Sequence, residues 1–362
     1  MVYLSIGSNL GDRLLHLQLA VGMISYRIGE IKSLSKVVET PAWGFKGETF
    51  YNACLAVDTS LRPEEVLTQL LEIEEFLGRK RSEKNGYQSR TIDLDIIFYG
   101  NHVVKTERLT LPHPRMQERN FVLAPLAEIA PTVKHPESKL TVESLLKTSE
   151  DTTAVSEISA PLFPLKKIDY IAIEGNIGVG KTTFAERLQV AIGGRLLLEN
   201  FYDNPYLEGF YRDPETFALP VENAFLEDRI QQQNQFFSRM ENGPVIADYC
   251  LEKSPLFARQ NLNEKDIDLY LQSYTKKVAS LPQPTIVFFL EQYIEQLLKN
   301  IKKRGRSFEQ NMEAAYLEKI EWGYQAWQNE SQLKQIIFPL LDGDITRDPS
   351  VFYRFLMTLF RL

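Results

Sequence analysis

The sequence predicts two domains of different fold class: an N-terminal α+β domain with a ferredoxin-like βαββαβ sheet, and a C-terminal α/β domain. The chain has 362 residues, which is enough for two separately buried cores. Strand-like and helical patterns follow one another in a different order on the two sides of a stretch that has no periodicity. We therefore predict domains at residues 1–147 and 168–362, joined by a linker at residues 148–167.

The N-terminal elements follow from two hydrophobic periodicities. Residues 63–78 have helical spacing, with Pro63 in the first turn and Gly78 at the end. The other predicted elements are a helix at residues 14–26 and strands at residues 2–6, 31–38, 51–57 and 91–99. The order strand, helix, strand, strand, helix, strand predicts an antiparallel sheet with both helices on one face.

The C-terminal half alternates short apolar strands with long helices, which predicts a five-stranded parallel sheet covered on both faces. The predicted strands are residues 170–173, 195–198, 245–247, 285–290 and 335–341. Ligands of such sheets bind outside the carboxyl ends of the strands. We therefore expect the functional residues of this half to follow its strands directly.

Composition limits the partners that the chain can have. A net charge of −7 argues against nucleic acid or an anionic membrane as the main partner. No apolar run is long enough to cross a bilayer, and the first residues do not resemble a signal peptide, so we expect a cytoplasmic protein. Cys54 and Cys250 lie in different predicted domains, so we expect neither a disulfide nor a structural zinc site.

Two acids alternate with apolar residues in the last N-terminal strand. Side chains on a strand alternate between faces, so Asp93 and Asp95 share the face opposite to Ile92 and Leu94. Two carboxylates on a rigid face suit Mg²⁺, which prefers oxygen ligands and substrate phosphates. An amphipathic strand with two solvated acids is the alternative. Basic groups nearby favour a magnesium–triphosphate site: Arg79, Arg81, Lys84, Arg90, Arg108, His113, Arg115 and Arg119.

Five sequence blocks in this half resemble 6-hydroxymethyl-7,8-dihydropterin pyrophosphokinase of folate synthesis. The blocks are GSNLGDR (7–13), ETPAWG (39–44), YNACLAVDTSL (51–61), RTIDLDIIFYG (90–100) and LPHPRMQERNFVLAPLAEIAP (111–131). They occur in the family's order and spacing, and they cover about residues 1–146. The resemblance implies transfer of pyrophosphate from ATP to the pterin hydroxymethyl group, with release of AMP.

The resemblance also implies the site residues of that reaction. Two Mg²⁺ ions would be bound by Asp93 and Asp95. ATP would contact Arg79, Arg81, Tyr87, Arg90, Ile96, Arg108, Thr110, His113 and Arg119, of which Arg79, Arg90, His113 and Arg119 would act in catalysis. The pterin would lie between Phe50 and Phe121, with Thr40, Pro41, Trp43, Asn52 and Glu74 at its edge. Without the motif, core packing would be the default interpretation of both phenylalanines. Tyr87 stands where many family members have tryptophan.

A phosphate-binding motif opens the second half. Residues 175–182 match G-x-x-x-x-G-K-[ST] and lie between a predicted strand and a predicted helix. Backbone amides would bind the phosphates of ATP, Lys181 would neutralise them, and Thr182 would ligate one Mg²⁺. The implied ATP-binding residues are Gly175, Asn176, Ile177, Gly178, Val179, Gly180, Lys181, Thr182 and Thr183.

Four further blocks resemble the bacterial deoxynucleoside kinases. They are IEGNIGVGKTTFAERL (173–188), LLLENFYDNPYLEGFY (196–211), VIADY (245–249) and IKKRGRSFEQ (301–310). The resemblance implies 5′-phosphorylation of a deoxynucleoside, preferably a purine, under a helical lid, by a homodimer formed through this domain. The implied residues are Glu199 as general base, Asp248 at magnesium, Arg304 and Arg306 in the lid, Glu309 at the sugar 3′-hydroxyl, and Gln231 or Gln232 at the base.

One position departs from the kinase pattern, and two alternatives stay open. Many family members have arginine where this chain has Tyr249, and we hypothesise that Lys253 supplies the missing charge. One alternative is that only the N-terminal half is active and the C-terminal half is a nucleotide-binding regulatory or dimerisation module. The other is a P-loop kinase acting on a nucleoside monophosphate, for which no additional cationic pocket is evident.

Overall fold

The computed structural model describes residues 1–80, 88–163, 167–201, 203–239, 243–340 and 348–362. The chain divides into two compact units. The N-terminal unit comprises Met1–Lys167 and Leu356–Leu362, and the C-terminal unit comprises Ile168–Phe355. The last seven residues are therefore grouped with the N-terminal unit, which differs from the boundary that the sequence predicts. None of the helices in the described ranges is long and apolar enough to cross a membrane.

The N-terminal unit has the predicted ferredoxin-like arrangement. Its first elements are β1 (Val2–Ser8), α1 (Arg13–Arg27), β2 (Glu30–Leu34), β3 (Val38–Thr40), β4 (Phe50–Asp58), α2 (Pro63–Phe76) and β5 (Asp93–Tyr99). The antiparallel strands have the order β5-β1-β4-β3, and β2 also pairs with β4. The strand predicted at residues 31–38 is thus two strands.

The remaining N-terminal elements are β6 (Val104–Lys105), β7 (Thr110–Leu111), α3 (Asn120–Ile129), α4 (Val142–Thr148) and β8 (Ser156–Glu157). Of these, β8 extends this sheet, and β6 and β7 form a separate two-stranded sheet. β8 pairs with β3, and the backbone N–H and C=O of Phe163 both bond to the Gln18 side chain, at 2.8 and 3.0 Å. Much of the segment predicted to be a linker is therefore part of this unit.

The C-terminal unit contains a five-stranded parallel sheet, as predicted. Its elements are β9 (Tyr170–Gly175), α5 (Lys181–Ile192), β10 (Arg195–Leu197), α6 (Leu207–Arg212), α7 (Pro214–Phe237), β11 (Val245–Ala247), α8 (Lys253–Asn261), α9 (Glu264–Val278), β12 (Ile286–Glu291), α10 (Ile294–Arg304), α11 (Ala314–Glu330), β13 (Gln335–Pro339) and the first part of α12 (Pro349–Phe360). The strand order is β10-β11-β9-β12-β13. All residues of β9 and β11 are buried, as expected for a sheet covered on both faces.

Candidate active sites

The register of the antiparallel sheet sets the geometry of the N-terminal site. Asp93 lies opposite Gly7, and Gly7 lies opposite Asn52 on the next strand. Asp95 lies opposite Ser5. Residues that face one another across strands share one face of the sheet. Both acids therefore share a face with Asn52, and this is the side-chain direction that the sequence predicts.

Cationic groups converge on the two acids from separate parts of the chain. Arg79 Nη1 lies 2.6 Å from Asp93 Oδ1, and Arg90 Nη2 lies 2.6 Å from Asp93 Oδ2. His113 Nε2 lies 4.0 Å from Asp95 Oδ2. Burial, and then the neighbouring arginines Arg119 and Arg115, lower the pKa of His113 to about 4, so the ring is neutral at physiological pH.

The acidic pair fits a divalent cation. Desolvation and then repulsion from Asp93 raise the pKa of Asp95 well above its ordinary value. A cation between the carboxylates would remove this repulsion. Among the described residues no group of three or more His, Cys, Asp or Glu side chains has a metal-binding arrangement. Mg²⁺ does not need one, since it commonly takes one or two carboxylates and completes its shell with water and phosphate.

Two residues implied by the resemblance have a different environment in the structure. Glu74 was expected at the pterin edge, but it pairs with Arg79 and accepts a hydrogen bond from the Leu94 backbone N–H at 2.9 Å. It therefore fixes Arg79 beside Asp93. Ile96 was expected to contact ATP, but its side chain is 4% exposed and lies in the core, so the structure supports no side-chain contact.

The polar end of the predicted pterin pocket is buried and preorganised. Asn52 Nδ2 donates to Thr40 Oγ1 at 2.9 Å, and both residues are buried. A Cβ atom added to Gly7 would lie 2.6 Å from Asn52 Oδ1. Only glycine fits here, because any side chain would displace the amide. The conformation of Asn52 thus depends on a residue in the first motif of the sequence.

Aromatic rings and guanidinium groups surround this polar end. The Arg119 guanidinium lies over the rings of Trp43 and Phe121, 5.0 and 5.5 Å from their centroids. Arg90 lies 5.4 Å from the centroid of Phe50, which packs edge-to-face on Phe45. Sequence reasoning missed Phe45, which lies in an irregular loop outside the quoted blocks.

The other predicted residues on the ATP side are less enclosed. Arg108 and Thr110 are exposed, and so is Pro41, which was predicted at the edge of the pterin. Arg81 and Tyr87 lie outside the described residues, so the structure does not test their predicted roles.

The phosphate-binding loop of the C-terminal unit lies directly after β9, at the predicted edge of the sheet. Gly178 and Gly180 have φ of +84° and +101°, a left-handed conformation that favours glycine. Lys181 Nζ donates to the backbone carbonyls of Gly175 and Asn176, at 2.7 and 3.2 Å. Burial lowers the pKa of Lys181 to about 8. Residues 177–183 line a cavity of about 1290 Å³.

An acid and a hydroxyl meet beside this loop. Thr182 Oγ1 donates to Asp248 Oδ2 at 2.5 Å, and Asp248 Oδ1 accepts from the Glu199 backbone N–H at 2.7 Å. Thr182 and Asp248 were predicted as the magnesium ligands of this half, and the structure brings them together. Hydroxyl and carboxylate oxygens beside a phosphate-binding loop are the donor set that Mg²⁺ takes in P-loop enzymes.

Two cations hold Glu199 in place. Arg229 Nη2 lies 2.5 Å from Glu199 Oε1, and Lys253 Nζ lies 2.7 Å from Glu199 Oε2. Attraction to Lys253 and Arg229 outweighs burial and holds the pKa of Glu199 far below its ordinary value. Glu199 therefore stays ionised and can accept a hydrogen bond from a hydroxyl group. The sequence anticipated Lys253, but it gave no sign of Arg229, which comes from the middle of α7.

The lid residues also converge on the cavity. Arg304 and Arg306 both pair with Glu309, and the Arg306 guanidinium lies 3.4 Å from the centroid of the Phe201 ring. All three charged residues line the cavity. Glu309, which was expected at the sugar, therefore holds the two lid arginines in this structure.

Neither predicted base-reading glutamine lines the cavity. Gln231 is exposed, and Gln232 Oε1 accepts from the Tyr249 hydroxyl at 3.0 Å. The structure therefore places neither side chain at the cavity wall, although Gln232 follows Arg229 by three positions and lies close to the same face of α7. Glu222 and Asn261 occupy the cavity wall instead.

Both units thus combine acids suited to magnesium with cations suited to phosphate, an arrangement typical of phosphoryl-transfer enzymes. Comparison with known proteins gives the families. Residues 3–131 match the family model described as 7,8-dihydro-6-hydroxymethylpterin-pyrophosphokinase, and residues 171–356 match the one described as deoxynucleoside kinase. The chain belongs to both families, one in each half.

Individual relatives agree with this division. The chain is 42% identical over 141 residues to a 2-amino-4-hydroxy-6-hydroxymethyldihydropteridine pyrophosphokinase of Porphyromonas gingivalis, covering 38% of this chain and 95% of the relative. It is 36% identical over 160 residues to deoxyguanosine kinase of Bacillus subtilis, covering 43% and 76%. A folic acid synthesis protein of Pneumocystis carinii is 38% identical over 170 residues, 47% of this chain, but the match spans only 23% of that protein's length.

A solved structure of deoxyadenosine kinase from M. mycoides with bound dATP covers 54% of this chain and 100% of its own chain. It has a TM-score of 0.47 and 23% identity.

Proposed function

We propose that the N-terminal unit transfers pyrophosphate from ATP to 6-hydroxymethyl-7,8-dihydropterin. The observation that carries this proposal is the shared sheet face on which Asp93 and Asp95 lie beside the polar pocket of Asn52. The hydroxymethyl oxygen forms a bond to the β-phosphorus, the bond from that phosphorus to the α,β-bridging oxygen breaks, and AMP leaves. The hydroxyl proton is released.

The chain's own residues bind and orient the reactants. Asn52 and Thr40 offer polar groups to the pterin rim, and Phe50 and Phe121 offer apolar faces to its ring. Arg79 and Arg90 stand where phosphate oxygens can replace the carboxylate that they now contact. Mg²⁺ held by the two acids would neutralise phosphate charge. Positioning and charge neutralisation supply most of the catalysis in reactions of this class.

We propose that the C-terminal unit transfers the γ-phosphoryl group of ATP to the 5′-hydroxyl of a deoxynucleoside, with a purine base preferred. Glu199 carries this proposal, since it is ionised, lines the cavity and lies beside the P-loop acid Asp248. It accepts a hydrogen bond from the 5′-hydroxyl and orients its oxygen toward the γ-phosphorus. That oxygen forms a bond to the γ-phosphorus, the bond from that phosphorus to the β,γ-bridging oxygen breaks, and ADP leaves. The hydroxyl proton is released. Lys181 and the lid arginines stabilise the developing charge on phosphate.

Two further aspects of the proposal concern the surroundings of the enzyme. Kinases of these families use ATP and Mg²⁺, and we propose two magnesium ions at the acidic pair and one at the P-loop. We also propose a cytoplasmic enzyme that dimerises through its C-terminal unit, with no nucleic-acid or membrane partner. The last point is supported by the net charge of −7.

The alternative of an inactive C-terminal half rested on Tyr249. Tyr249 is buried, donates to Gln232 and does not line the cavity. Lys253 and Arg229 provide two cations at Glu199. Positive charge at Glu199 is therefore present without the arginine that many family members have, which favours an active kinase.

One assay tests both activities. Full-length protein is given ATP and Mg²⁺ with either hydroxymethyl-dihydropterin or each deoxynucleoside, and the nucleotide product is identified. We expect AMP with the pterin and ADP with deoxynucleosides. ADP at background with all deoxynucleosides would reject the kinase and favour a regulatory module, and absence of AMP with the pterin would reject the first activity.

A further inference from the structure

Glu222 stands out as a buried acid in the cavity wall that no proposed chemical step uses. It is 2% exposed and lines the cavity on helix α7. Asn261 Nδ2 donates to its Oε1 at 2.7 Å, whereas its Oε2 is buried and has no hydrogen-bond partner among the residues that the structure describes. An unsatisfied buried carboxylate oxygen costs free energy, so a native site with one is expected to receive a donor from elsewhere.

Helix geometry relates Glu222 to the reaction centre. Arg229 follows seven positions later, so the two residues lie on one face of α7, about 10 Å apart along the helix axis. Arg229 binds Glu199, the proposed partner of the 5′-hydroxyl. This spacing is comparable to the length of a nucleoside. A substrate with its 5′-hydroxyl at Glu199 can therefore place its base beside Glu222.

The surroundings of Glu222 suit a planar ring. Phe225, one turn further along the helix, and Tyr316 line the same cavity. Tyr316 donates its hydroxyl to Asn261 Oδ1 at 3.3 Å. This bond fixes the amide so that its nitrogen faces Glu222. The carboxyl group is thus held in one orientation before any ligand binds, between aromatic walls that can stack on a base.

We propose that Glu222 is the specificity-determining residue of the C-terminal site and that it selects guanine by accepting hydrogen bonds from the ring N1–H and the exocyclic 2-amino group. This inference deepens the proposed deoxynucleoside kinase activity and rests on it. A carboxylate offers only acceptors, and guanine presents two adjacent donors on this edge. Adenine presents one acceptor and one donor there, which suits a glutamine amide instead.

The charge state of Glu222 agrees with this role. Burial raises the pKa of Glu222 to about 7, so the empty site holds a group that is poorly solvated in its ionised form. Two donors from guanine favour the ionised form. Guanine is therefore expected to bind more tightly than a base that can donate only one hydrogen bond to Glu222.

The test compares three substrates on two matched variants. Deoxyguanosine has both donors, deoxyinosine keeps N1–H but lacks the 2-amino group, and deoxyadenosine has an acceptor at N1. The variant is Glu222→Gln. The control is Glu227→Gln, the same chemical change on the same helix, where Glu227 is exposed and pairs with Lys277.

For the unaltered protein we expect kcat/KM to fall in the order deoxyguanosine, deoxyinosine, deoxyadenosine. In Glu222→Gln the ratio of kcat/KM for deoxyguanosine to kcat/KM for deoxyadenosine should fall about 100-fold or more. The change should appear in KM, since a misplaced donor leaves buried polar groups unpaired. The KM for ATP and the pterin reaction should not change. Glu227→Gln should keep the original ratio.

The contrary outcomes distinguish failure of the proposed kinase function from failure of the proposed role of Glu222. If the unaltered protein phosphorylates no deoxynucleoside, the proposed function fails. If it is active but the ratio of kcat/KM for deoxyguanosine to that for deoxyadenosine is the same in Glu222→Gln, the function stands and the inference is overturned. If Glu222→Gln does not fold, Glu222→Asp replaces it, because it keeps the acceptors but withdraws them by one methylene. An unchanged KM for deoxyguanosine in that variant also overturns the inference.

Discussion

The two proposed phosphate sites of this chain are built in different ways. In the N-terminal unit, side chains from separate elements meet on one face of an antiparallel sheet. Arg79 and Arg90 reach Asp93 from the connection between α2 and β5, and His113 approaches Asp95 from the segment after β7. In the C-terminal unit, the backbone of one continuous loop forms the phosphate site, and its glycines adopt conformations that other residues avoid. One site depends on tertiary convergence, and the other depends on local geometry.

This difference predicts how the two sites should respond to sequence change. Side-chain charges can be removed one at a time from the first site without altering the sheet. In the second site, the backbone supplies much of the binding, and side chains act mainly at the reacting oxygen. The predictions below use this contrast, and each assigns its effect to one unit while the other serves as an internal control.

The largest effect is expected from the acidic pair. Asp95→Asn removes half of the charge that would hold magnesium, so AMP formation with the pterin should fall about 1,000-fold, a loss of the size seen when one stabilising group is removed from an active site. ADP formation with deoxynucleosides by the same preparation should remain normal. Loss of both activities would indicate misfolding or a shared site, and retention of AMP formation would remove Asp95 from the metal site.

A somewhat smaller effect is expected at the other site. Glu199→Gln keeps the shape of the side chain but removes its charge, so steady-state kcat for deoxynucleosides should fall about 100-fold. The amide can still accept one hydrogen bond, which limits the loss in KM. The pterin reaction is the control. A variant with normal kcat would show that Glu199 does not act at the 5′-hydroxyl.

Packing of the first sheet gives a third test. Gly7→Ala places a methyl group against Asn52 Oδ1, and overpacking of this kind costs about 1–3 kcal/mol. Thermal unfolding of the full chain should show a lower midpoint for the first unit, with a raised KM for the pterin. The double variant Gly7→Ala/Asn52→Ala removes the clash and should recover stability but not pterin binding. No recovery would mean that the strain lies elsewhere.

The smallest effect concerns the substitute cation. Lys253→Met removes one of two cations at Glu199 but leaves Arg229 in place. Turnover of deoxynucleosides should fall about tenfold, or about 1.4 kcal/mol of transition-state free energy. Arg259→Met, on the exposed surface of the same helix, is the matched control. Unchanged turnover in Lys253→Met would dismiss the idea that this residue replaces the missing arginine.

How much the sequence could predict follows from the same contrast. The P-loop and the strand-end acids Glu199 and Asp248 were predictable, because each depends on local strand–loop–helix patterns. Strand alternation predicted that Asp93 and Asp95 share a face, and the basic residues nearby in the sequence favoured a metal–phosphate site over two solvated acids. The resemblance to the family, which comparison confirms, supplied the individual roles of the arginines.

The rest depends on tertiary contacts. Arg229 and Glu222 lie in a long helix. From the sequence of such a helix, a charged residue that will be buried at a site cannot be distinguished from one that will face solvent. Glu74 reaches the backbone N–H of Leu94 only because α2 packs beside β5, so this part of its role could not be read from spacing. Residues 149–163 lack periodicity, yet β8 joins the sheet edge through backbone hydrogen bonds that carry no side-chain signature.

The central claim is that one chain holds two separate sites, in which the acceptor hydroxyl groups attack different phosphorus atoms of ATP. It is tested most directly with ATP labelled at the β-phosphorus, supplied to the full-length protein together with the pterin and deoxyguanosine. The account predicts β-label in the pterin product and none in the deoxynucleotide. In a parallel reaction with ATP labelled at the γ-phosphorus, both products should carry label. Transfer of β-label to the deoxynucleotide, or a pterin product without it, would contradict the account.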